Sequence, residues 1–170
     1  MATQLALTLP EKVAKVVTIA SSPCFVEREE WPGIKAKVLA NFHQQLQASI
    51  SKTLSGFLKL QAMGSPHVRD DIRAIKQLVE QKPEPSELVL DKSLDILADV
   101  DLRDALSQIN QPFLRIYGKL DALVPHKVIS LVDALAPHSQ SVILEKASHA
   151  PFISHQAEFI EHLLQWLQTP

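Results

Sequence analysis

The stretch Phe113-Leu-Arg-Ile-Tyr-Gly-Lys-Leu-Asp121 constrains the fold more than any other part of the chain. Its first five residues are a short run rich in β-formers that follows Pro112 and stops at Gly118, which is the pattern of a buried strand in a parallel sheet. Asp121 comes three residues after the glycine, on the loop at the carboxyl end of that strand. Because ligands bind at the carboxyl ends of strands in open α/β sheets, Asp121 is a candidate functional carboxylate.

A second pattern of the same kind follows closely. Residues 141–144 are another short apolar run, and the loop that leaves it carries His149. Between the two loops, residues 127–136 have apolar side chains at helical spacing. Strand, helix and strand in this order predict a βαβ unit with parallel strands, which brings Asp121 and His149 to the same edge of the sheet. An Asp that orients a His is two-thirds of a nucleophilic triad.

The composition argues against several classes of protein. The 170 residues carry a formal net charge of −2 and are 46% hydrophobic, which predicts a soluble globular protein and gives no reason to expect a nucleic-acid partner. No apolar run is long enough to span a bilayer, and the amino terminus lacks the pattern of a signal peptide. A single cysteine fits a reducing compartment. We therefore expect a cytoplasmic protein with no membrane contact.

The segment before Phe113 changes character along its length. Residues 1–9 are compatible with a helix, and residues 13–20 are rich in β-branched side chains and predict a strand. Strand patterns then disappear, and helical patterns follow at residues 34–46, 50–63, 68–81 and 86–97. A block of helices inserted between two strands of an α/β sheet is typical of a lid over the active-site edge.

The chain is accordingly predicted to have two kinds of segment. Residues 1–26 and 111–170 form the α/β core, and residues 27–110 form a helical lid. The second core segment closes with a helical pattern at residues 156–168. Its apolar side chains are expected to face inward: Phe159, Ile160, Leu163, Leu164 and Trp166.

Several motifs resemble those of one enzyme superfamily. The stretch Leu-Arg-Ile-Tyr-Gly-x-x-Asp-x-x-Val-Pro and the later Ala-Ser-His-Ala-Pro-Phe are similar to the acid and histidine loops of α/β-hydrolases. More closely, the chain resembles the pimeloyl-[acyl-carrier protein] methyl ester esterase family of biotin synthesis, on matching stretches at residues 20–25, 30–34, 57–64, 100–103 and 148–155. The resemblance implies the carboxyl-terminal part of an α/β-hydrolase sheet, with three parallel strands, flanking helices and an inserted helical lid.

The resemblance implies a serine carboxylesterase that hydrolyses the methyl ester of pimeloyl-acyl carrier protein. Asp121 and His149 would be the acid and the base of its Ser-His-Asp triad, His149 would also contact the substrate, and no metal or organic cofactor would take part. In the family the serine stands in a Gly-x-Ser-x-Gly elbow, and the four glycines of this chain form no such motif. The serine, the oxyanion loop and the first five strands are therefore expected upstream of Met1, and the chain alone is expected to be inactive.

The resemblance also implies a protein partner, an acyl carrier protein that bears the pimeloyl methyl ester. Arg69 and Arg73 match lid arginines that hold this acidic protein in the family, a role that suits a cationic helix face. Lys52 and Gly56 occupy two further positions where the family can carry basic residues. Phe57 is the candidate apolar wall for the acyl chain. The full-length enzyme is expected to be monomeric.

The residues alone leave simpler interpretations open. Arg69 and Arg73 also fit a solvated helix face, Phe57 and Trp31 also fit the interior of a lid, and Asp121 also fits a cap of the next helix. Two other functions stay open as well. One is an α/β-hydrolase carboxylesterase or lactonase without a carrier partner, and the other is a fragment without catalytic activity.

Alternative bases and nucleophiles are less favoured. Six other histidines are present, and His155 on the same loop begins the closing helix, so the base is assigned to His149. Ser21 and Ser22 lie at a strand end beside the site but lack the flanking glycines of an elbow. Cys24 lies on the same loop, where nothing indicates a lowered thiol pKa.

Overall fold

The computed structural model describes residues 1–169, in which three parallel strands form a sheet with helices on both faces. Strand β1 (Val16–Ile19) pairs with β2 (Phe113–Gly118), and β2 pairs with β3 (Gln140–Leu144). The central strand is therefore the one that leads to Asp121. The predicted parallel α/β architecture is confirmed, although β1 begins three residues later than its sequence pattern suggested.

Eight α-helices accompany the sheet within residues 1–169. Four of them, α2 to α5, lie between β1 and β2, where helical patterns were predicted, and their ends agree with the prediction within two residues. The division into core segments at 1–26 and 111–170 and a helical lid at 27–110 stays a prediction. The helices are α1 (Ala2–Thr8), α2 (Ala36–Ala48), α3 (Ile50–Ala62), α4 (Val68–Glu80), α5 (Glu87–Asp99), α6 (Lys127–Leu135), α7 (Pro151–Ser154) and α8 (Gln156–Leu167).

The central strand carries the core on both of its faces. All six residues of β2 are buried, as expected for a strand covered by helices on each side. Phe113 and Tyr117 belong to a cluster with residues of α1 and α6, whereas Leu114 and Ile116 belong to a second cluster with residues of α8. Alternate side chains of a strand point to opposite faces of the sheet, so this strand holds the two helical layers together.

The closing helix α8 packs differently from the prediction. Phe159 and Trp166 are buried and Leu163 packs against their cluster, in agreement with the sequence pattern. Ile160 and Leu164, however, are exposed, so the prediction that both face inward is wrong. Residues 159, 163 and 166 share one side of a helix because they are spaced by about one turn. Ile160 and Leu164 extend the apolar surface of the helix onto a side that the sheet does not cover.

One charged residue lies inside this core. The side chain of Arg115, on β2, is 1% exposed. Its guanidinium donates to Ser139 Oγ at 2.9 Å and to the Tyr117 hydroxyl at 3.4 Å, and it forms an ion pair with Asp133 of α6. These partners connect the central strand to α6 and to the turn before β3. A buried charge is tolerated only when such partners surround it.

The helical insertion leaves and rejoins the core at one place. Cys24 and Asp101 form an isolated antiparallel bridge, and Leu102 N donates to Pro23 O at 2.9 Å. Trp31 is buried at this junction, and its indole N–H donates to Cys24 O at 2.9 Å. The junction lies just past the carboxyl end of β1, and Trp31 serves as core there.

Candidate active site

The two predicted site residues leave the ends of neighbouring strands. Asp121 follows β2 by three residues, and His149 follows β3 by five. Because β2 and β3 are parallel and directly paired, their carboxyl ends meet at the same edge of the sheet. The structure therefore brings together two side chains that lie 28 residues apart in the sequence.

His149 Nδ1 lies 2.9 Å from Asp121 Oδ2, within hydrogen-bond distance. The Asp121 side chain is 1% exposed and the His149 side chain is 20% exposed. An aspartate shielded from water next to a partly accessible imidazole is the arrangement in which the carboxylate fixes the imidazole tautomer. When the Nδ1–H group donates a hydrogen bond to the carboxylate, Nε2 carries no proton and can accept one.

Asp121 is itself held by its own loop. Its second carboxylate oxygen, Oδ1, accepts hydrogen bonds from Leu123 N at 2.7 Å and from Val124 N at 3.0 Å. These bonds form a side-chain turn within the loop, since α6 begins only at Lys127. Asp121 is therefore not a cap of the next helix, and its two oxygens serve separate purposes. One oxygen fixes the loop, and the other faces His149.

The hydroxyls of Ser22 and Ser148 and the thiol of Cys24, all near the strand ends, already have backbone partners. Ser22 Oγ donates to Cys24 O, and Ser148 Oγ donates to Gln61 O at 3.2 Å. Cys24 is 1% exposed, and burial, with a smaller contribution from the nearby Asp101 carboxylate, raises the pKa of its thiol. A buried thiol with a raised pKa is a poor nucleophile because the thiolate is the reactive form.

The predicted lid residues lie on α3 and α4. Arg69 and Arg73 are both exposed on α4, and Arg73 forms a weak ion pair with Asp70 at 3.5 Å. Phe57, on α3, is partly buried and contacts Phe42 of α2 edge to face, with ring centroids 6.1 Å apart. Both arginine side chains are thus accessible to solvent, while Phe57 helps to join α2 and α3.

A groove of about 640 Å³ lies between α3, α4 and the loop at residues 82–85. Its floor is apolar and includes Leu54, Leu58 and Ile72. Neither Asp121 nor His149 lines this groove, and neither does Phe57. The groove is therefore separate from the candidate catalytic pair.

One group of side chains within residues 1–169 has atoms close enough to bind a metal ion. The ligand atoms of His43, Asp91 and Asp95 lie within 4.8 Å of one another, between α2 and α5. His43 Nδ1 lies 2.8 Å from Asp91 Oδ1, and Lys92 Nζ lies 2.8 Å from Asp95 Oδ2. These partly exposed side chains already have partners in each other and in Lys92, so we assign them no metal.

Sequence reasoning missed two contacts around the pair. It did not identify the two backbone N–H groups that donate to Asp121. An Asp side chain commonly accepts such bonds from the residues two and three positions later, and this forms a turn. Sequence reasoning also missed the contact between Ser148 and Gln61, which are 87 residues apart. No local pattern in the sequence indicates a contact over that separation.

Comparisons with known proteins bear on the family and the fold of the chain. A family model described as alpha/beta hydrolase fold matches residues 1–156. The pimeloyl-[acyl-carrier protein] methyl ester esterase of Aeromonas salmonicida (strain A449) is 53% identical over 161 residues, which cover 95% of this chain and 63% of that relative. The protein of the same name from Klebsiella pneumoniae subsp. pneumoniae is 52% identical over 164 residues, 96% of this chain and 64% of that relative. The chain thus spans less than two thirds of the length of these relatives.

Solved structures show the same fold. An esterase from Exiguobacterium antarcticum superposes with a TM-score of 0.86 at 22% identity, over 99% of this chain and 62% of that chain. An enol-lactonase from Burkholderia xenovorans LB400 superposes with a TM-score of 0.81 at 13% identity, over 98% of this chain and 60% of that chain. Across residues 1–169, no helix combines the length and the apolar character that crossing a membrane requires.

Proposed function

The chain belongs to the alpha/beta hydrolase fold family, and on this premise we propose that it supplies the acid and the base of a serine carboxylesterase. The substrate we propose is the methyl ester of a pimeloyl-[acyl-carrier protein], as the names of relatives at 53% identity suggest. The observation that carries the proposal is the 2.9 Å contact between His149 Nδ1 and the buried carboxylate of Asp121 at the strand ends.

The proposed reaction is acyl transfer through a covalent intermediate. His149 Nε2 takes the proton of a serine hydroxyl as the serine oxygen attacks the ester carbonyl, and then passes that proton to the departing methanol. In the second half, His149 takes a proton from water as the water oxygen attacks the acyl-enzyme, and then returns that proton to the departing serine oxygen, which regenerates the serine and releases the free acid. Asp121 holds the imidazole in the required tautomer and stabilises the imidazolium in both halves.

We place the nucleophilic serine outside residues 1–170. The sequence has no Gly-x-Ser-x-Gly motif, and the strained elbow turn of this family requires those glycines. Ser22 and Ser148 donate to backbone carbonyls, and the Cys24 thiol is buried, which makes each of them a poor substitute. The oxyanion donors are proposed to come from outside the chain as well, and no metal or organic cofactor has a step in this scheme.

The proposed partner is an acyl carrier protein, which is acidic. Arg69 and Arg73 are exposed on one face of α4, where they can contact acidic side chains of the carrier. Phe57 is proposed to flank the acyl chain, which needs apolar surface along its length. We further propose that the enzyme acts as a monomer in the cytoplasm.

A chimera tests this proposal. It joins the chain to the part of the Aeromonas salmonicida esterase that the chain does not match, so that the product has the length of that relative. The chimera is expected to release methanol from a pimeloyl-[acyl-carrier protein] methyl ester and to hydrolyse p-nitrophenyl butyrate. Loss of both activities in a folded chimera would contradict the esterase proposal. Hydrolysis of p-nitrophenyl butyrate alone would favour an esterase without a carrier partner.

Charge reversal on α4 distinguishes binding of the carrier protein from catalysis of ester hydrolysis. In the chimera, replacing both Arg69 and Arg73 by glutamate is expected to raise KM for the carrier-bound ester about tenfold or more, because two attractive contacts become repulsive. The kinetics with p-nitrophenyl butyrate should not change. As a control, Lys35→Glu with Lys37→Glu changes the same charge at the start of α2. An equal effect of the control pair would indicate a general charge effect and contradict a docking role for α4.

A further inference from the structure

Two contacts connect the catalytic loops with the helical insertion at one point, and a third joins the two loops to each other. The segment at residues 61–67, which contains the last two residues of α3 and the connection to α4 and which we term the α3–α4 turn, lies against both the loop that carries Asp121 and the loop that carries His149. We propose that the α3–α4 turn positions the Asp121–His149 pair, with Ser148 and Gly64 as the positioning residues. The functional meaning of this positioning rests on the function proposed above.

The first contact joins the His149 loop to the end of α3. Ser148, which immediately precedes His149, is 1% exposed, and its hydroxyl donates to Gln61 O at 3.2 Å. The last four carbonyls of a helix have no partner within the helix. Here Met63 N donates to Leu60 O, Ser65 N donates to Ala62 O, and Ser148 supplies the donor for Gln61. The hydroxyl therefore supplies a partner for a partly buried helix-end carbonyl and fixes the residue next to His149.

The second contact joins the turn to the Asp121 loop. Gly64 has a positive φ of 93°, and a Cβ at this position would lie 2.6 Å from the carbonyl oxygen of Leu120. Leu120 immediately precedes Asp121. Only glycine allows the two backbones to approach this closely, and any side chain at Gly64 must displace the loop that carries the acid.

The third contact joins the two catalytic loops to each other. Leu120 N donates to Ala147 O at 2.9 Å, and a Cβ on Gly118 would lie 2.0 Å from Ser148 O. The segments on either side of the Asp121–His149 pair are therefore in direct backbone contact. The α3–α4 turn meets one loop at Leu120 and the other at Ser148, so it supports both sides of this shared contact, and the 2.9 Å contact between the two side chains depends on the spacing of the loops.

An apolar cluster supports the same arrangement. Leu58 of α3 and Ile75 of α4 pack against Ala150, the residue after His149, and against Ile153 of α7. The insertion thus contacts the chain on both sides of His149, at Ser148 and at Ala150. The loop from residue 145 to residue 150 has no helix or strand of its own, so these contacts add to the Asp121 hydrogen bond and to the bond from Leu120 N to Ala147 O in holding the imidazole in place.

The test measures the hydrogen bond between Asp121 and His149 in the chain itself and does not require enzymatic activity. In protein labelled with ¹⁵N-histidine, the exchange rate of the His149 Nδ1 proton with water reports how often its hydrogen bond to Asp121 opens. The His149→Ala variant identifies the signal, and the Asp121→Asn variant gives the exchange rate when this hydrogen bond is lost. Ser148→Ala is expected to raise this rate about fivefold to tenfold, since the loop loses one buried hydrogen bond. Gly64→Ala is expected to raise it at least as much.

Matched control variants distinguish a loss of positioning of the Asp121–His149 pair from a general increase in mobility of the chain. Ser93→Ala removes a similar serine bond, to Val89 O at 2.7 Å, that lies within α5. Gly56→Ala adds a methyl group on α3, where nothing lies within 4 Å. Both controls should leave the exchange rate unchanged. Unchanged rates in both Ser148→Ala and Gly64→Ala, or an equal rise in the controls, would overturn the positioning role. An inactive chimera with the expected exchange rates would instead overturn only the proposed function.

Discussion

Replacing His149 by alanine in the chimera is expected to lower kcat for p-nitrophenyl butyrate by about 10⁴-fold to 10⁶-fold, with little change in KM. The imidazole is proposed to move a proton in both halves of the reaction, and no other group in the described residues contacts Asp121 in the same way. Removal of a group that acts only in the transition state lowers kcat rather than raising KM. Steady-state kinetics on purified, folded variants measure both constants.

Two further variants test the assignment of the acid and the base. Asp121→Asn is expected to lower kcat by about 10⁴-fold, because an amide does not enforce the required tautomer of His149. His138→Ala, which removes an exposed histidine before β3, should leave kcat unchanged. A His149→Ala chimera that keeps more than about one tenth of the wild-type kcat would show that His149 is not the base.

The second large effect is expected on stability. Arg115→Ala should lower the free energy of unfolding by about 3 kcal/mol, through the cavity left in the core and the loss of a buried ion-pair partner. The Tyr117 hydroxyl loses its donor, and because the residue is 2% exposed, water does not readily replace that donor; the same burial raises the pKa of the hydroxyl. The loss of stability is smaller than for a fully buried ion pair because the Asp133 side chain is 49% exposed, so that water solvates its carboxylate once Arg115 is removed.

Denaturation in urea measures this effect, with two comparisons. Arg115→Met keeps most of the volume and should cost about half as much, whereas Arg69→Ala on the exposed face of α4 should change stability by less than about 0.5 kcal/mol. A loss of less than about 1 kcal/mol for Arg115→Ala would mean that the hydrogen bonds to Ser139 and Tyr117 contribute little in solution.

Local patterns were sufficient to predict where Asp121 and His149 lie, whereas the roles of acid and base were assigned with the help of the family resemblance. A short apolar run, a glycine and a following acid define the end of a strand, and a second such run places His149 at the neighbouring strand end. The order of strand, helix and strand then implies parallel pairing, which the register of β2 with β3 bears out. The meeting of Asp121 and His149 follows from topology, and no knowledge of long-range packing was needed.

Packing over long sequence separations was not predictable in the same way. The face of α8 was misjudged because its apolar surface is wider than the part the sheet covers, and the sequence does not show which part is covered. Arg115 lies in an apolar run, and only the fold shows that Asp133 and Ser139 surround it. The contact of Ser148 with Gln61 depends likewise on how the insertion folds back on the sheet.

The most direct test of the central claim is the mass of the covalent product formed with diethyl p-nitrophenyl phosphate, a reagent that phosphorylates activated serines. The account predicts that the 170-residue chain remains unmodified. It also predicts that the chimera gains one phosphoryl group, on a serine contributed by the relative, and that His149→Ala prevents this reaction. A phosphorylated residue within positions 1–170, such as Ser21 or Ser22, whose labelling requires His149, would contradict the claim that the chain contributes the acid and the base but not the nucleophile.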